Sequence, residues 1–240
     1  MLLAGKGAFM KNLPQAEELA KEMIAIGKLA NRETICVLTN MDEPLGYSVG
    51  NTLEVIEAVN FLQGKMPEDL KQVVLTLGAY MLKLAGKGEN IEENKLKLLE
   101  NIQNGKAYQK FLQLVQNQGG DISYLEDTEK FEKAKFVEPI LATKSGYIQE
   151  IDSKEVGKLT SSLGAGRIKK EDKIDFCVGI VLNKKVADKV EKNDILAYIH
   201  ANQKDKMEET KNRLLQIIKI ADQENKKEKV ILEIMENVTK

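Results

Sequence analysis

Apolar residues recur at helical spacing over Leu13–Ala30, where Ala16, Leu19, Ala20, Met23, Ile24 and Leu29 share one face. Pro14 suits the first turn of that helix, because its missing N–H would have no intrahelical partner there. A short link leads to Thr34–Thr39, an apolar run that reads as a buried strand. The next residues change texture: Asp42, Glu43, Pro44, Gly46, Gly50 and Asn51 are turn chemistry. An amphipathic run from Thr52 to Leu62 then predicts a helix capped by Asn51 or Thr52, with Glu54 and Glu57 one turn apart. A loop between a buried strand and a helix is where α/β folds place ligand sites. The remainder of the chain is best read around this loop.

Three further helical runs follow. Pro67 to Ala85 starts with Glu68 and Asp69 facing the helix dipole and carries the stripe Val73, Val74, Leu77, Tyr80, Met81 and Leu84. Asn90 to Asn104 is capped near Asn90 and stopped by Gly105, and Tyr108 to Gln116 is closed by Gly119-Gly120. These stripes are explained by core packing. From Lys135 the period shortens: Val137–Ala142, Gly146–Ile151, Asp175–Leu182 and Ile195–Ala201 are β-like runs separated by Gly, Lys and Asp. A short helix capped by Ser153 spans Ser153 to Ser162, a charged helix spans Asp205 to Gln223, and Val230–Ile234 reads as a closing strand. A linker lies between Gly120 and Lys135.

Composition narrows the function classes. With 42% apolar and 30% charged residues, the 240-residue chain can bury a core. Its 36 basic and 37 acidic residues nearly cancel, which argues against nucleic acid and against an anionic membrane as partners. Aromatics are 5% and tryptophan is absent, so a base-stacking platform is not expected. No basic leader or membrane-length apolar run is visible. Cys36 and Cys177 both sit in strand-like runs and read as buried free thiols, which suits a reducing cytoplasm.

The chemistry on offer is limited. His200 is the only histidine, so no His-based triad or multi-histidine metal site can form within the chain. It reads as a structural residue at a strand end. No CxxC pair and no P-loop occur. Gly5 and Gly7 serve either a tight turn or the approach of an anion to backbone amides. Arg167, in the loop Gly164-Ala165-Gly166, binds an anion or pairs with an acid such as Asp172. Glu57 is the best candidate for a functional carboxylate, since it looks back at a loop rich in carbonyls of the kind hard cations take. The alternative is a solvated helix acid.

Several motifs resemble one family. They are Gly5-x-Gly7-Ala8-Phe9-Met10-Lys11, Leu38-Thr39-Asn40-Met41-Asp42-x-Pro44-Leu45-Gly46 and Gly50-Asn51-x-Leu53-Glu54-Val55-x-Glu57-Ala58. Leu163-Gly164-Ala165-Gly166-Arg167, Ile174-Asp175, Val178-Gly179-Ile180, Lys184-Lys185-Val186 and Ile199-His200-Ala201 follow in the same order. Together they resemble the pyrimidine-nucleoside phosphorylases, close relatives of bacterial thymidine phosphorylase. The resemblance implies an α/β fold: part of a phosphorylase α/β domain over residues 1–125, then a smaller α+β, barrel-sandwich-like domain over residues 126–240. It implies a pentosyltransferase that reversibly phosphorolyses uridine, thymidine or deoxyuridine to free base and (deoxy)ribose 1-phosphate. It also implies a homodimer when full length.

By the same resemblance a potassium ion is held by the backbone carbonyls of Leu45 and Ser48 and the carboxylate of Glu57. Ser48 stands where alanine is common, a tolerable change where the ligand is a carbonyl. The likeness is to the C-terminal half of such enzymes. The helical domain, the glycine- and serine-rich phosphate loop and the Arg and Lys that contact the pyrimidine belong to the other half. Met1 is therefore expected to be an internal start, the mark of a broken gene or a truncation, and the chain alone is expected to be catalytically inert, or an assembly subunit needing a separate N-terminal half. A second reading from another class is a biotin or lipoate carrier with Lys184-Lys185 at a hairpin tip, though neither lysine has a carrier's usual flanking residues.

Overall fold

The computed structural model describes residues 1–167 and 169–236. Strand β1 (Leu2–Ala4) lies parallel to β2 (Ile35–Asn40), with Leu2 opposite Leu38 and Ala4 opposite Asn40. Helix α1 (Leu13–Leu29) is the crossover between them. Its start is set by Asn12, whose side chain accepts from the Gln15 N–H, with Pro14 in the first turn. Ala16 and Ala20 are fully buried and meet Cys36 and Leu38 of β2; small residues on the helix let the two elements approach closely. Val37 and Thr39, one residue out of phase, are also buried, so β2 is covered on both faces as its unbroken apolar run predicts.

After the loop come β3 (Ser48–Val49) and a block of helices: α2 (Asn51–Leu62), α3 (Glu68–Leu84), α4 (Ile91–Gln103), α5 (Lys106–Asn117) and the short α6 (Ser123–Glu126). Val59 of α2, Leu112 of α5 and Leu125 of α6 form a small core, and the Tyr108 hydroxyl donates to the Leu125 carbonyl at 2.8 Å. The larger core lies beyond, between two antiparallel sheets. One has the order β3-β6-β8-β4 and the other β7-β5-β9, formed by β4 (Phe136–Leu141), β5 (Gly146–Ile151), β6 (Gly179–Leu182), β7 (Lys189–Val190), β8 (Ile195–Ala201) and β9 (Ile218–Ala221). Ile140, Ile148, Ile180 and Ile199 fill its centre, closed by Val156 of α7 (Ser153–Thr160) and Leu214 of α8 (Lys204–Ile217). Strand β10 (Ile231–Glu236) then returns to pair antiparallel with β2.

Two strands thus cross the sequence midpoint. Strand β3 joins the sheet of β6, and β10 joins the sheet of β1 and β2. The fold is mixed α/β, as expected from the sequence.

Local expectations fail where a tertiary partner outbids a local preference. The charged helix expected to reach Gln223 stops at Ile217, because Ile218 and Ile220 alternate onto β5 opposite Ile151 and Ile148. The strand expected from Asp175 starts only at Gly179, since the Asp175 carboxylate accepts from the Cys177 N–H and folds the preceding residues into a turn. Helix α7 is capped by Asp152, not Ser153; the Ser153 hydroxyl instead donates to the Met41 carbonyl. Neither Asn51 nor Thr52 caps α2. Gly50 holds that position, and Glu54 accepts from its N–H at 3.0 Å. Both cysteines are buried free thiols, and burial pushes both thiol pKa values up. His200 sits in β8 between Gly179 and Val137, and burial lowers its pKa. Among the described residues no helix is long and apolar enough to cross a membrane.

Candidate functional site: the loop between β2 and α2

The loop from Asp42 to Val49 turns back over the start of α2, and its polar groups are held from three sides. From α2, Glu57 reaches it: one carboxylate oxygen accepts from the Tyr47 N–H at 2.8 Å and the other from the Ser48 N–H at 3.3 Å. From α3, Asp69 accepts from the Gly46 N–H at 3.1 Å. From the turn after β6 comes Lys185, with only 2% of its side chain exposed. Its ammonium donates to the Gly46 carbonyl at 3.0 Å and to the Pro44 carbonyl, lies 2.9 Å from Asp69 and 3.7 Å from Glu43, and stands 5.8 Å from the centre of the Tyr47 ring. Glu43 in turn accepts from the Val186 N–H at 3.0 Å. Gly46 is required here: its φ is +68°, and a Cβ would stand 2.5 Å from a Glu57 oxygen.

The three carboxylates differ electrostatically. Burial pushes the Glu57 pKa up, against the two amide donors that favour its charge, with Asp69 nearby adding repulsion and Lys185 attraction. Burial also raises that of Glu43, more than Lys185 and the Val186 N–H bring it down, and Lys227 adds a further positive charge. Asp69 is buried too, but Lys185, by charge and by hydrogen bond, together with two backbone amides, takes its pKa below the usual range. Asp69 is therefore the ionised partner of Lys185. Glu57 and Glu43 are carboxylates whose charge is short of compensation.

This ordering has a pH consequence. A carboxylate whose folded pKa lies above its unfolded value contributes stability below the unfolded pKa and loses it as pH rises through the folded pKa. Wild type is therefore expected to lose stability as pH rises from the ordinary glutamate range through the raised pKa of Glu57. Glu57→Gln should flatten that part of the profile. Urea midpoints measured across this window test it, and identical slopes for the two proteins would show that Glu57 titrates as a solvated acid.

The predicted cation ligands fall together in part. The register pairs Ser48 with Val181, while Leu182 donates to the Tyr47 carbonyl at 2.8 Å, so Ser48 occupies a position not bonded to β6. Its N–H is turned to Glu57. Leu45 lies between the two residues whose carbonyls take Lys185, and it lines a cavity of about 210 Å³ together with Asp42, Glu43, Asp69 and Lys6. The predicted donors are one carboxylate and two neutral carbonyls, and neither Ser48 nor Glu57 lines the cavity at Leu45. The described residues hold no cluster of three or more His, Cys, Asp or Glu arranged for a metal. Such a donor set fits a weakly held monovalent cation better than a divalent one.

Sequence reasoning missed Lys185, Asp69 and Glu43 as members of this site. Asp69 reads as a dipole-facing acid in the first turn of α3, and Lys185 as one of two lysines in a turn at a hairpin tip. They meet only through folding, since Lys185 is 141 residues from Pro44. The burial of Lys185 also removes it as a carrier lysine, which must be accessible. The Gly5-Lys6-Gly7 stretch is a turn: Gly7 donates to the Met41 carbonyl at 3.1 Å, and Lys6 pairs with Glu150. Asp172 accepts from the Lys169 N–H at 2.8 Å in the loop after Arg167.

Two segments of the chain match known protein families. Residues 1–108 match the model of the glycosyl transferase family a/b domain, and residues 147–221 match the pyrimidine nucleoside phosphorylase C-terminal domain. Curated pyrimidine-nucleoside phosphorylases of Staphylococcus aureus strains USA300, NCTC 8325 and bovine RF122 are each 44% identical over 218 residues. The alignment covers 91% of this chain and 50% of each relative, so the chain spans about half the length of the curated relatives it matches. With a glycosyl transferase a/b segment followed by a phosphorylase C-terminal segment, in that order and at that identity, the chain resembles the C-terminal half of the pyrimidine-nucleoside phosphorylases.

Proposed function

We propose that the chain supplies the cation loop and the C-terminal domain of a pyrimidine-nucleoside phosphorylase. The reaction is the reversible phosphorolysis of uridine, thymidine or deoxyuridine, in which phosphate attacks the anomeric carbon and the pyrimidine leaves. The observation that carries this reading is the 44% identity over 91% of the chain, which spans the whole site from Asp42 to Lys185. The transition state carries oxocarbenium character, so catalysis needs two reactants held in line and charge stabilised on the departing base. In this proposal those contacts come from a phosphate-loop half like that of the relatives, and the present residues set the floor on which that half rests. The working state is a homodimer in the cytoplasm.

The proposal includes a potassium ion on the carbonyls of Leu45 and Ser48 and the carboxylate of Glu57. Its support is the reach of Glu57 to the loop at Ser48, and the excess of carboxylate over ammonium around the loop. When bound, the ion supplies charge compensation for Glu57 and rigidity at the loop. A single carboxylate offsets only part of its dehydration, so binding is weak until further ligands arrive.

Uracil release from uridine and phosphate tests the reading. The 240-residue chain alone is expected to give none. Joined to the phosphate-loop half of a Staphylococcus aureus relative, it is expected to turn over, with Glu57→Gln lowering the rate and raising the potassium concentration for half-maximal activity. Turnover by the chain alone would refute the division of labour. No turnover in the joined, folded protein would refute the function.

A further inference from the structure

We infer that Lys185 is a tethered cation that positions the loop: its ammonium stands where a free monovalent ion would sit among the carbonyls of Pro44 and Gly46 and the carboxylate of Asp69. This rests on the proposed cation reading and deepens it by adding a second, permanently filled cation position on the two residues that flank Leu45. The coordination is that of an ion site. Two backbone carbonyls and one carboxylate lie around the nitrogen, a second carboxylate stands at 3.7 Å, and an aromatic face closes the shell at 5.8 Å. Nearly all of the side chain is out of water, so the ammonium depends on these groups in place of hydration.

The consequence follows from which atoms are held. Lys185 draws the carbonyls of Pro44 and Gly46 to one side, and Asp69 takes the Gly46 N–H. Leu45 lies between these two held residues, and the left-handed Gly46, at φ +68°, turns the chain there. Tyr47 and Ser48 are then presented with their N–H groups toward Glu57. Lys185 belongs to the turn after β6, whose own strand pairs with β3 through Ser48 and Val49. The β-rich half therefore sets the loop twice, once by the strand ladder and once by this charge. Lys185 acts through the loop whose carbonyls it holds, so its role is that of a positioning residue.

The test uses the chain as it stands and needs no turnover. Amide hydrogen exchange is followed at Gly46, Tyr47 and Ser48, whose N–H groups are bound to Asp69 and Glu57. Lys185→Met keeps the buried stem and removes the charge. It is expected to speed exchange at these three amides by on the order of ten-fold or more, with the β6–β8 ladder still protected. Lys185→Ala opens a space that methylammonium fits, and methylammonium chloride is expected to restore slow exchange there, while tetramethylammonium chloride at equal ionic strength is not. Wild-type protection in Lys185→Met would overturn the inference, since packing alone would then hold the loop. Equal effects of methylammonium and tetramethylammonium on Lys185→Ala would overturn it as well. Should Lys185→Ala fail to fold, the Lys185→Met comparison decides alone. Potassium dependence of the joined enzyme is a separate readout, so lost loop protection with no potassium effect would retain Lys185 and reject the ion at Glu57.

Discussion

Asp69→Ala is expected to destabilise the protein by about 3–5 kcal/mol, the range for removing one partner of a buried ion pair. The argument turns on what remains. Lys185 would keep two carbonyls and a carboxylate at 3.7 Å, and the Gly46 N–H would lose its acceptor. Exposed ion pairs behave otherwise and are worth about 0–1 kcal/mol, which is the expectation for Lys133–Glu129 on the surface. Chemical denaturation of Asp69→Ala, Lys185→Met and the double variant measures the difference. The double variant should be less damaged than the sum of the singles, because removing both charges leaves no uncompensated ion. A loss of about 1 kcal/mol or less for Asp69→Ala would mean that the pair is hydrated like a surface bridge.

Gly179→Ala is the second large effect. A Cβ at Gly179 would lie 2.4 Å from the Val49 carbonyl oxygen, 2.8 Å from a Leu53 methyl and 3.1 Å from the Gly50 Cα. Two of these neighbours are backbone, which cannot rotate away. The substitution must push β3 from β6 and is expected to cost about 3 kcal/mol, the upper end of ordinary overpacking. Because β3 carries Ser48, the shift should also loosen the Ser48 N–H from Glu57. Gly157→Ala is the control. It lies inside α7 with no atom within 4 Å of its Cβ position, and should be stabilising by about 0.5–1 kcal/mol. Thermal unfolding of the two variants side by side checks both signs. A Gly179→Ala protein as stable as wild type would show that β3 is not seated on β6.

These effects concentrate around one loop because three segments distant in sequence converge there. A strand–loop–helix made of neighbouring residues supplies Glu57 and its two amides. Asp69 comes from the next helix and Lys185 from the far sheet. Each contact fixes a different polar atom of the same short loop, so damage at any one of them should be felt at the others.

Much of this was determined by the sequence alone. The period of apolar positions placed α1 to α5, because a helix of twelve or more residues repeats its buried face several times. Pro14 marked the first turn of α1 and Asn90 the start of α4, through features that need only local atoms. The motifs around Asn51 and Glu57 pointed to the loop and to the family. Tertiary structure alone decided the rest. Strand β3 is two residues long and has no pattern of its own, and β9 is carved from the end of a helical pattern by pairing with β5. The cap of α7 moved by one residue because Ser153 found a partner on the loop. Above all, nothing local distinguishes Lys185 from Lys184. In the fold, Lys184 stays part-exposed near Asp194, while Lys185 turns inward to the Pro44 and Gly46 carbonyls and Asp69. Burial of a charge is a property of its surroundings, and those surroundings are assembled from chain more than a hundred residues away.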